Sequence, residues 1–223
     1  MDKFTYLFLD LFTLSPILFL SFDKWVKFYK KWGIALLSIF PVAVFFVLWD
    51  VWFTKVGVWE FNSKFLIGIF FGNLPLEEYL FFIVVPWVCL FIYESIFTHF
   101  QSFISKLNLK SVLYLLIGLC VLGMFSGGGL YTQVNLGLGM ITMSIHLIFW
   151  NKQQINFFLS TYILSLFPMF FVNGILTSYP VLIYNPEENL GVRIGTIPIE
   201  DFIYSYVLIG LVFLIYFKLN KTK

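Results

Sequence analysis

Charge, cysteine and histidine are all scarce in this chain, and each shortage removes a class of function. Only 12% of its 223 residues are charged, 60% are hydrophobic, and the mean hydropathy is +0.91. No water-soluble domain of this size can bury such a load. The two cysteines, Cys89 and Cys120, both fall inside apolar runs, so they read as small core residues and not as a disulfide or a metal pair. His99 and His146 lie away from the acidic residues and are assigned neither to a metal nor to a proton relay. Gly127-Gly-Gly129 has no strand before it and no Lys-Ser/Thr after it, which makes it a turn and excludes a phosphate cradle.

What the chain has in abundance is apolar sequence of spanning length. A membrane crossing needs about 20 largely apolar residues, and seven segments qualify, at 4–22, 33–53, 75–97, 111–130, 134–150, 155–177 and 198–217. The fold class expected is therefore an all-α integral membrane protein of seven transmembrane helices. Segment 4–22 lacks a basic start and a small-residue cleavage site, and is expected to remain as a span. The formal net charge is only +2, but its distribution is uneven. Lys24, Lys27, Lys30, Lys31, Lys106, Lys110, Lys152, Lys218, Lys221 and Lys223 fall on one side of a seven-span arrangement, with Lys3, Lys55, Lys64 and Arg193 opposite. Basic residues collect on the cytoplasmic side of short loops, so the N-terminus is expected outside and the C-terminus in the cytoplasm, in a multi-pass protein of the cell (inner) membrane. No nucleic-acid partner is expected.

The chain also repeats itself. At an offset of 123, Gly72-Asn-Leu-Pro-Leu-Glu-Glu-Tyr79 falls on Gly195-Thr-Ile-Pro-Ile-Glu-Asp-Phe202, Asn62 on Asn185, Gly68 on Gly191 and Asp50 on Asn173. The repeat unit is three helices. Residues 1–100 form the first copy, 131–223 the second, and 111–130 a linking transmembrane helix. Three crossings alone would invert the second copy; the unpaired fourth span restores its direction, so the repeats run parallel about an axis along the membrane normal. Both acidic strings then lie at one depth, near the outer face. Asp10, matched with Gln133, and Asp50, matched with Asn173, fall in the same layer. Charged groups at membrane depth cost several kcal/mol unless paired or wetted, and turn toward the bundle interior. One polar pocket, roofed on the outer side and apolar below, is expected.

A purely structural reading of Pro-Leu-Glu-Glu exists. Pro suits a helix start, carboxylates there complement the helix dipole, and Asn73 or Thr196 can cap the free amides. Duplication in register favours chemistry instead, because capping alone does not require two adjacent acids twice. Two acids close together and partly dry cannot both ionise easily, which leaves one as a proton donor near neutral pH. Neighbouring helical residues point about 100° apart, so one acid of each pair can enter the pocket while the other meets water or a partner helix; alternatively, Glu77 and Glu200 approach each other across the twofold. Aromatic residues make up 22% of the chain, and Tyr79, Phe81, Phe82, Trp87, Phe202, Tyr204 and Tyr206 flank the acids. Ring faces attract cations, although aromatics also gather at membrane interfaces for other reasons. Pro41, Pro86 and Pro168 are read as helix kinks, and Glu94 as a residue snorkelling to water.

The duplicated Pro-Leu-Glu-Glu-Tyr-Leu-Phe-Phe and Pro-Ile-Glu-Asp-Phe-Ile-Tyr strings, each opening the last helix of a three-helix repeat, resemble the membrane-integral lycopene cyclase family. Members are two small subunits or one fused chain with a linking helix, and this sequence is similar to the fused form. The resemblance implies an isomerase-type lycopene β-cyclase in carotenoid biosynthesis, closing the ends of a linear polyene into ionone rings with no net redox change. A protein acid protonates the terminal double bond, the next double bond attacks the cation, and a base removes a ring proton. Motif matching makes Glu77, Glu78, Glu200 and Asp201 the catalytic candidates. Asp10, Asp50, Asn173, Tyr79, Phe82 and Phe202 are the substrate-binding candidates. The partners implied are a lipophilic polyene and membrane lipid. With no dinucleotide fingerprint, no cofactor is expected.

Two rivals are weaker. Small transporters can also be built from parallel three-helix repeats around a linking helix, but the inner halves of these spans hold little beyond Ser and Thr. A retinal-binding seven-helix protein needs a lysine in mid-span seven; the first there is Lys218, at its inner end.

Overall fold

The computed structural model describes residues 2–220; Lys221 and Lys223 of the basic tail lie outside them. Seven helices carry the described chain: α1 (Thr5–Leu20), α2 (Trp32–Val56), α3 (Leu76–Ile104), α4 (Lys110–Met124), α5 (Leu130–Phe149), α6 (Lys152–Ser178) and α7 (Glu200–Asn220). All but α4, counted with flanking 3-10 turns where present, are long and apolar enough to cross a membrane, which makes the chain a multi-pass helical membrane protein. Pro16, Pro41, Pro86 and Pro168 are accommodated inside α1, α2, α3 and α6. The backbone of α3 leaves helical geometry at Phe100, nowhere near its proline.

The expected span at 111–130 is shorter than foreseen. Its helix, α4, has 15 residues and rises about 22 Å against a hydrocarbon core of about 30 Å. It nevertheless reaches between the two ends of the bundle. At its start, the Leu109 amide donates to Asn156 Oδ1 at 3.1 Å, near the beginning of α6. Past its end, the Leu130 amide donates to Glu188 Oε2 at 2.7 Å, in the loop before α7.

The chain is not wholly helical. Segments 57–75 and 179–199 form a cap of short strands over one end of the bundle: β1 (Trp59–Phe61), β2 (Phe70–Phe71), β3 (Leu74–Pro75), β4 (Leu182–Tyr184), β5 (Arg193–Ile194) and β6 (Ile197–Pro198). β2–β3 and β5–β6 are matching two-residue hairpins. Gly72 (φ 64°) and Gly195 (φ 65°) take the first turn position of each, where a left-handed backbone is required. β1 pairs antiparallel with β4, and Glu60 stands opposite Ile183.

Asn73 and Thr196 do not cap α3 and α7. Asn73 Nδ2 donates to the Val51 carbonyl at 2.9 Å, and the Thr196 hydroxyl to the Gly174 carbonyl at 3.4 Å. Each therefore ties its hairpin to the end of the second helix of its own half, α2 or α6. Asn62 and Asn185, also equivalent by the offset, cap the 3-10 turns Ser63–Phe65 and Pro186–Glu188.

The third helix of each half packs on the second helix of the other: α3 against α6, and α7 against α2. Phe46, Phe82, Phe158, Phe213 and Tyr216 fill the core between them. Glu94 does not snorkel to water. It is buried on α3, where Lys31 Nζ bonds Oε2 at 2.7 Å and the Tyr216 hydroxyl donates to Oε1 at 2.6 Å. The pair lets a carboxylate stay at that depth, since a buried charge is tolerated only with a partner.

Candidate active site

Neighbouring acids part company at the start of α3 and α7, as the 100° step between helical residues requires. Glu77 and Glu200 turn toward the cap. Glu77 Oε1 accepts from the Ile67 amide at 2.8 Å, and Glu200 Oε1 from the Leu190 amide at 2.7 Å and the Thr132 hydroxyl at 2.6 Å. Ile67 and Leu190 are equivalent by the 123-residue offset, so the first acid of each pair pins its own loop in the same way. Among the described residues, no hydrogen bond joins the two. Each keeps one buried oxygen, Oε2, without a hydrogen-bond partner.

Glu78 and Asp201 turn the other way, onto the wall of a single cavity beneath the β1–β4 pair. The cavity wall is made almost entirely of equivalent pairs, one residue from each half. These are Glu78 with Asp201, Asp50 with Asn173, Trp59 with Leu182, Phe61 with Tyr184 and Phe81 with Tyr204 at the 123-residue offset, and Tyr6 with Tyr131. The last pair differs by 125. Tyr6 donates to Glu78 Oε2 at 2.6 Å and Tyr131 to Asp201 Oδ1 at 2.7 Å, so the first helices of the two halves match two residues out of step with the rest. Asp10 is accordingly equivalent to Asn135 and not to Gln133. Asn135 is buried and donates to the Glu200 carbonyl at 2.6 Å, whereas Gln133 faces the α4–α5 turn, bonding the Met124 and Gly128 carbonyls.

Symmetry of position hides an asymmetry of chemistry. In the first half, Glu78 accepts a single hydrogen bond, from Tyr6. Asp50 shares the cavity wall with it, Asp10 is buried near Glu78 and Glu77, and Asp10 and Asp50 each keep one buried oxygen unpartnered. In the second half, Asp201 is surrounded by donors: Tyr131, the Tyr184 hydroxyl to Oδ2 at 2.8 Å, and Asn173 Nδ2 to Oδ2 at 3.4 Å. Burial, and then the Asp201 carboxylate, push the Tyr184 phenol well above the ordinary tyrosine range, which keeps it a donor. On the cavity wall, the first half thus contributes two carboxyl groups, Asp50 and Glu78, and few donors to them; the second contributes one, Asp201, in a ring of donors.

The remaining sequence candidates divide between the wall and its surroundings. Asp50 and Asn173 line the cavity; Asp10 does not. Tyr79 is held at the hairpin, its hydroxyl on the Phe71 carbonyl at 2.9 Å and its ring against Phe71. Phe82 is fully buried against Phe46, and Phe202 packs on Phe170. None of the three lines the cavity. The lining tyrosines Tyr6, Tyr131 and Tyr184, with Trp59, carry no short motif, and only the fold brings them to the acids. Their signal was the Tyr6–Tyr131 match, which a single fixed offset conceals. His146, outside the site, is buried with Nδ1 2.8 Å from the Tyr206 hydroxyl and its ring stacked on Trp150.

A second, mostly apolar cavity shares Phe81, Asn173, Asp201 and Tyr204 with the first and continues between α3, α6 and α7 past Val85, Val88, Met169 and Leu208. The acids therefore sit where a polar, aromatic chamber meets a hydrocarbon-like one. Such a site can hand a proton to an apolar molecule and take one back.

No curated protein matches the chain, and no solved structure matches it. A family model described as lycopene cyclase matches twice, over residues 3–96 and again over 128–219. Each match covers one of the two halves whose acids meet at the cavity, and together they take in most of the sequence: this chain belongs to the lycopene cyclase family.

Proposed function

We propose that the protein is a lycopene cyclase that closes the end of a linear carotenoid into an ionone ring by acid catalysis, with Glu78 as proton donor and Asp201 as base. The observation that carries this reading is the meeting of Glu78 and Asp201, one from each half, on the wall of one aromatic cavity that shares Phe81, Asn173, Asp201 and Tyr204 with an adjoining apolar one. Glu78 accepts one hydrogen bond, from Tyr6, and shares the wall with Asp50, whereas Asp201 accepts three; the acid with fewer donors is the one assigned the proton. It gives that proton to the terminal double bond, leaving a tertiary cation. The next double bond attacks the cation and closes the ring, and Asp201, kept an acceptor by three donors, removes a ring proton. One proton is given and one recovered, so the reaction is an isomerisation with no net redox change. The faces of Tyr204, Tyr131 and Trp59, which pack edge-to-face around the chamber, favour the cation while water is excluded. The β ring is proposed on the family resemblance alone; the position from which the ring proton is lost decides it.

The same reading covers topology. The β1–β4 register, with Glu60 opposite its own equivalent Ile183, supports two parallel three-helix repeats, 1–100 and 131–223, joined by a linking helix within 111–130. The placement of lysines supports an external cap and N-terminus and a cytoplasmic C-terminus. The test is expression in a host that accumulates lycopene, with pigments separated by chromatography. Ring-bearing products are expected from the intact chain and not from Glu78→Gln or Asp201→Asn; an intact chain that leaves lycopene unchanged would refute the reading.

A further inference from the structure

The two halves share a plan, yet only one of them leaves room beside its acids. In the second half, the apolar cavity is bounded by Met169 and Val172 of α6 and Ser205 of α7. Their equivalents in the first half, by the 123-residue offset, are Phe46 and Trp49 of α2 and Phe82 of α3. Three small or flexible side chains thus stand where the first half carries three large rings. Those rings fill their space: Phe46 lies 5.2 Å from Trp49, 5.8 Å from Phe82 and 5.1 Å from Tyr204, and Trp49 lies 4.9 Å from Tyr204 between ring centroids. What is packed aromatic core on one side of the pseudo-twofold is cavity on the other.

The open side also reaches the surface. A groove between α1, α3 and α6 shares Thr13, Val88, Pro168 and Val172 with the apolar cavity. Its outer lip carries Phe12 and Phe171, both about half exposed at 52%, and α1 is the least buried of the candidate spans. From lip to acid the sequence of surfaces is Phe12 and Phe171, then Thr13, Val88 and Val172, then Asp201.

We propose that this α1–α6 gap is the portal through which a linear hydrocarbon enters from the bilayer, end first, and that the aromatic filling of the equivalent gap makes access one-sided. The proposal rests on the reading of the substrate as a linear carotenoid. A polyene without polar groups dissolves in lipid and not in water, and a lateral opening at hydrocarbon depth delivers it without crossing the polar cap. The groove walls bear almost no hydrogen-bonding groups, as an apolar occupant requires, and the first charged side chain met inward is Asp201.

The test installs on the open side what the closed side already carries. Met169→Phe with Val172→Trp is expected to cut ring formation in lycopene-accumulating cells at least tenfold, while the protein still inserts and melts in detergent near the wild-type temperature. Thr13→Trp, which narrows the gap from α1 just inside the lip, gives a second obstruction on a different helix; Thr13→Ala is expected to retain ring formation. If the wild type makes rings and both obstructed variants, folded, make them at the wild-type rate, the portal lies elsewhere and the function stands. If Thr13→Trp alone cuts ring formation while the double variant fails to fold, the portal is supported from the α1 side. A wild type that makes no ring removes the proposed function and the portal together.

Discussion

Glu60 and Ile183 face each other across the β1–β4 pair, and each holds in its own half the position that the other holds in the second. A residue paired antiparallel with its own repeat equivalent lies at a local twofold axis. The flanking bonds obey the same symmetry, with the Asn62 amide on the Val181 carbonyl and the Asn185 amide on the Val58 carbonyl, both at 2.9 Å. The strand pair is therefore a keystone. It holds the halves in register, and the cavity directly beneath receives Glu78 from one and Asp201 from the other.

That placement separates two kinds of carboxyl that the sequence sets side by side. Glu78→Gln is expected to abolish ring formation while leaving the melting temperature in detergent close to wild type, because Gln keeps an acceptor for the Tyr6 hydroxyl. Glu77→Ala is expected to do the reverse damage first. It strips the Ile67 amide of its acceptor, and leaving a buried donor unpaired costs about 1–3 kcal/mol, read as a lowered melting temperature. An equal loss of activity from Glu78→Gln and full stability in Glu77→Ala would mean that the loop does not depend on Glu77.

The helical frame is legible from sequence because its signals are local. Runs such as 33–53 and 155–177 are predominantly apolar, and α2 and α6 form over them with a few residues added. The acid pairs are legible because they repeat in register. Three features are not local and were out of reach. The strand cap depends on pairing between segments 123 residues apart, and β1 and β4 have only three residues each. The Tyr6–Tyr131 match is hidden because the first helices slip by two residues against the rest of the repeat. Glu94 reads as a surface acid until Lys31 and Tyr216, far off in sequence, are seen to close on it.

The donor ring around Asp201 makes a graded prediction. Tyr131→Phe and Tyr184→Phe each remove one bond to a carboxylate, and bonds to charged groups contribute about 1.5–3 kcal/mol, so each single change is expected to lower the rate of ring formation roughly tenfold to a hundredfold. Because both hydroxyls serve one carboxylate, their effects are expected not to add. A double variant that loses the full product of the two factors would show that the tyrosines act independently of Asp201. Initial rates of pigment conversion in isolated membranes measure all three.

Gly129 is the point where the linking helix hands the chain to α5. A Cβ built there would stand 2.3 Å from the Glu187 carbonyl oxygen and 2.5 Å from Glu188 Cα, and backbone cannot step aside as a flexible side chain can. Gly129→Ala is expected to push apart the α5 start and the loop that carries the Leu130–Glu188 bond, lowering the melting temperature by several degrees, as a loss of about 1–3 kcal/mol from overpacking implies. Gly137, with nothing close to a built Cβ, is the control: Gly137→Ala is expected to match or exceed wild type, since Ala is the better helix former.

At the opposite end of α3, Lys31 and Glu94 allow the mechanism of stability to be separated from that of catalysis. Lys31→Met leaves Glu94 buried with only Tyr216 as partner; removing one member of a fully buried pair costs about 3–5 kcal/mol, and with Lys31 31% exposed the loss is expected to be smaller. The variant is expected to melt earlier than wild type. Adding Glu94→Gln removes the stranded charge while keeping an acceptor for the Tyr216 hydroxyl, so the double variant is expected to recover most of the lost melting temperature. Ring formation per folded molecule is expected to stay at the wild-type level in the double variant, because the pair bonds none of the residues on the wall of the acid-lined cavity. Thermal melts in detergent, followed by pigment assays normalised to folded protein, distinguish the outcomes: a double variant no more stable than Lys31→Met alone would mean that Lys31 stabilises through its packed hydrocarbon stem and not through its charge.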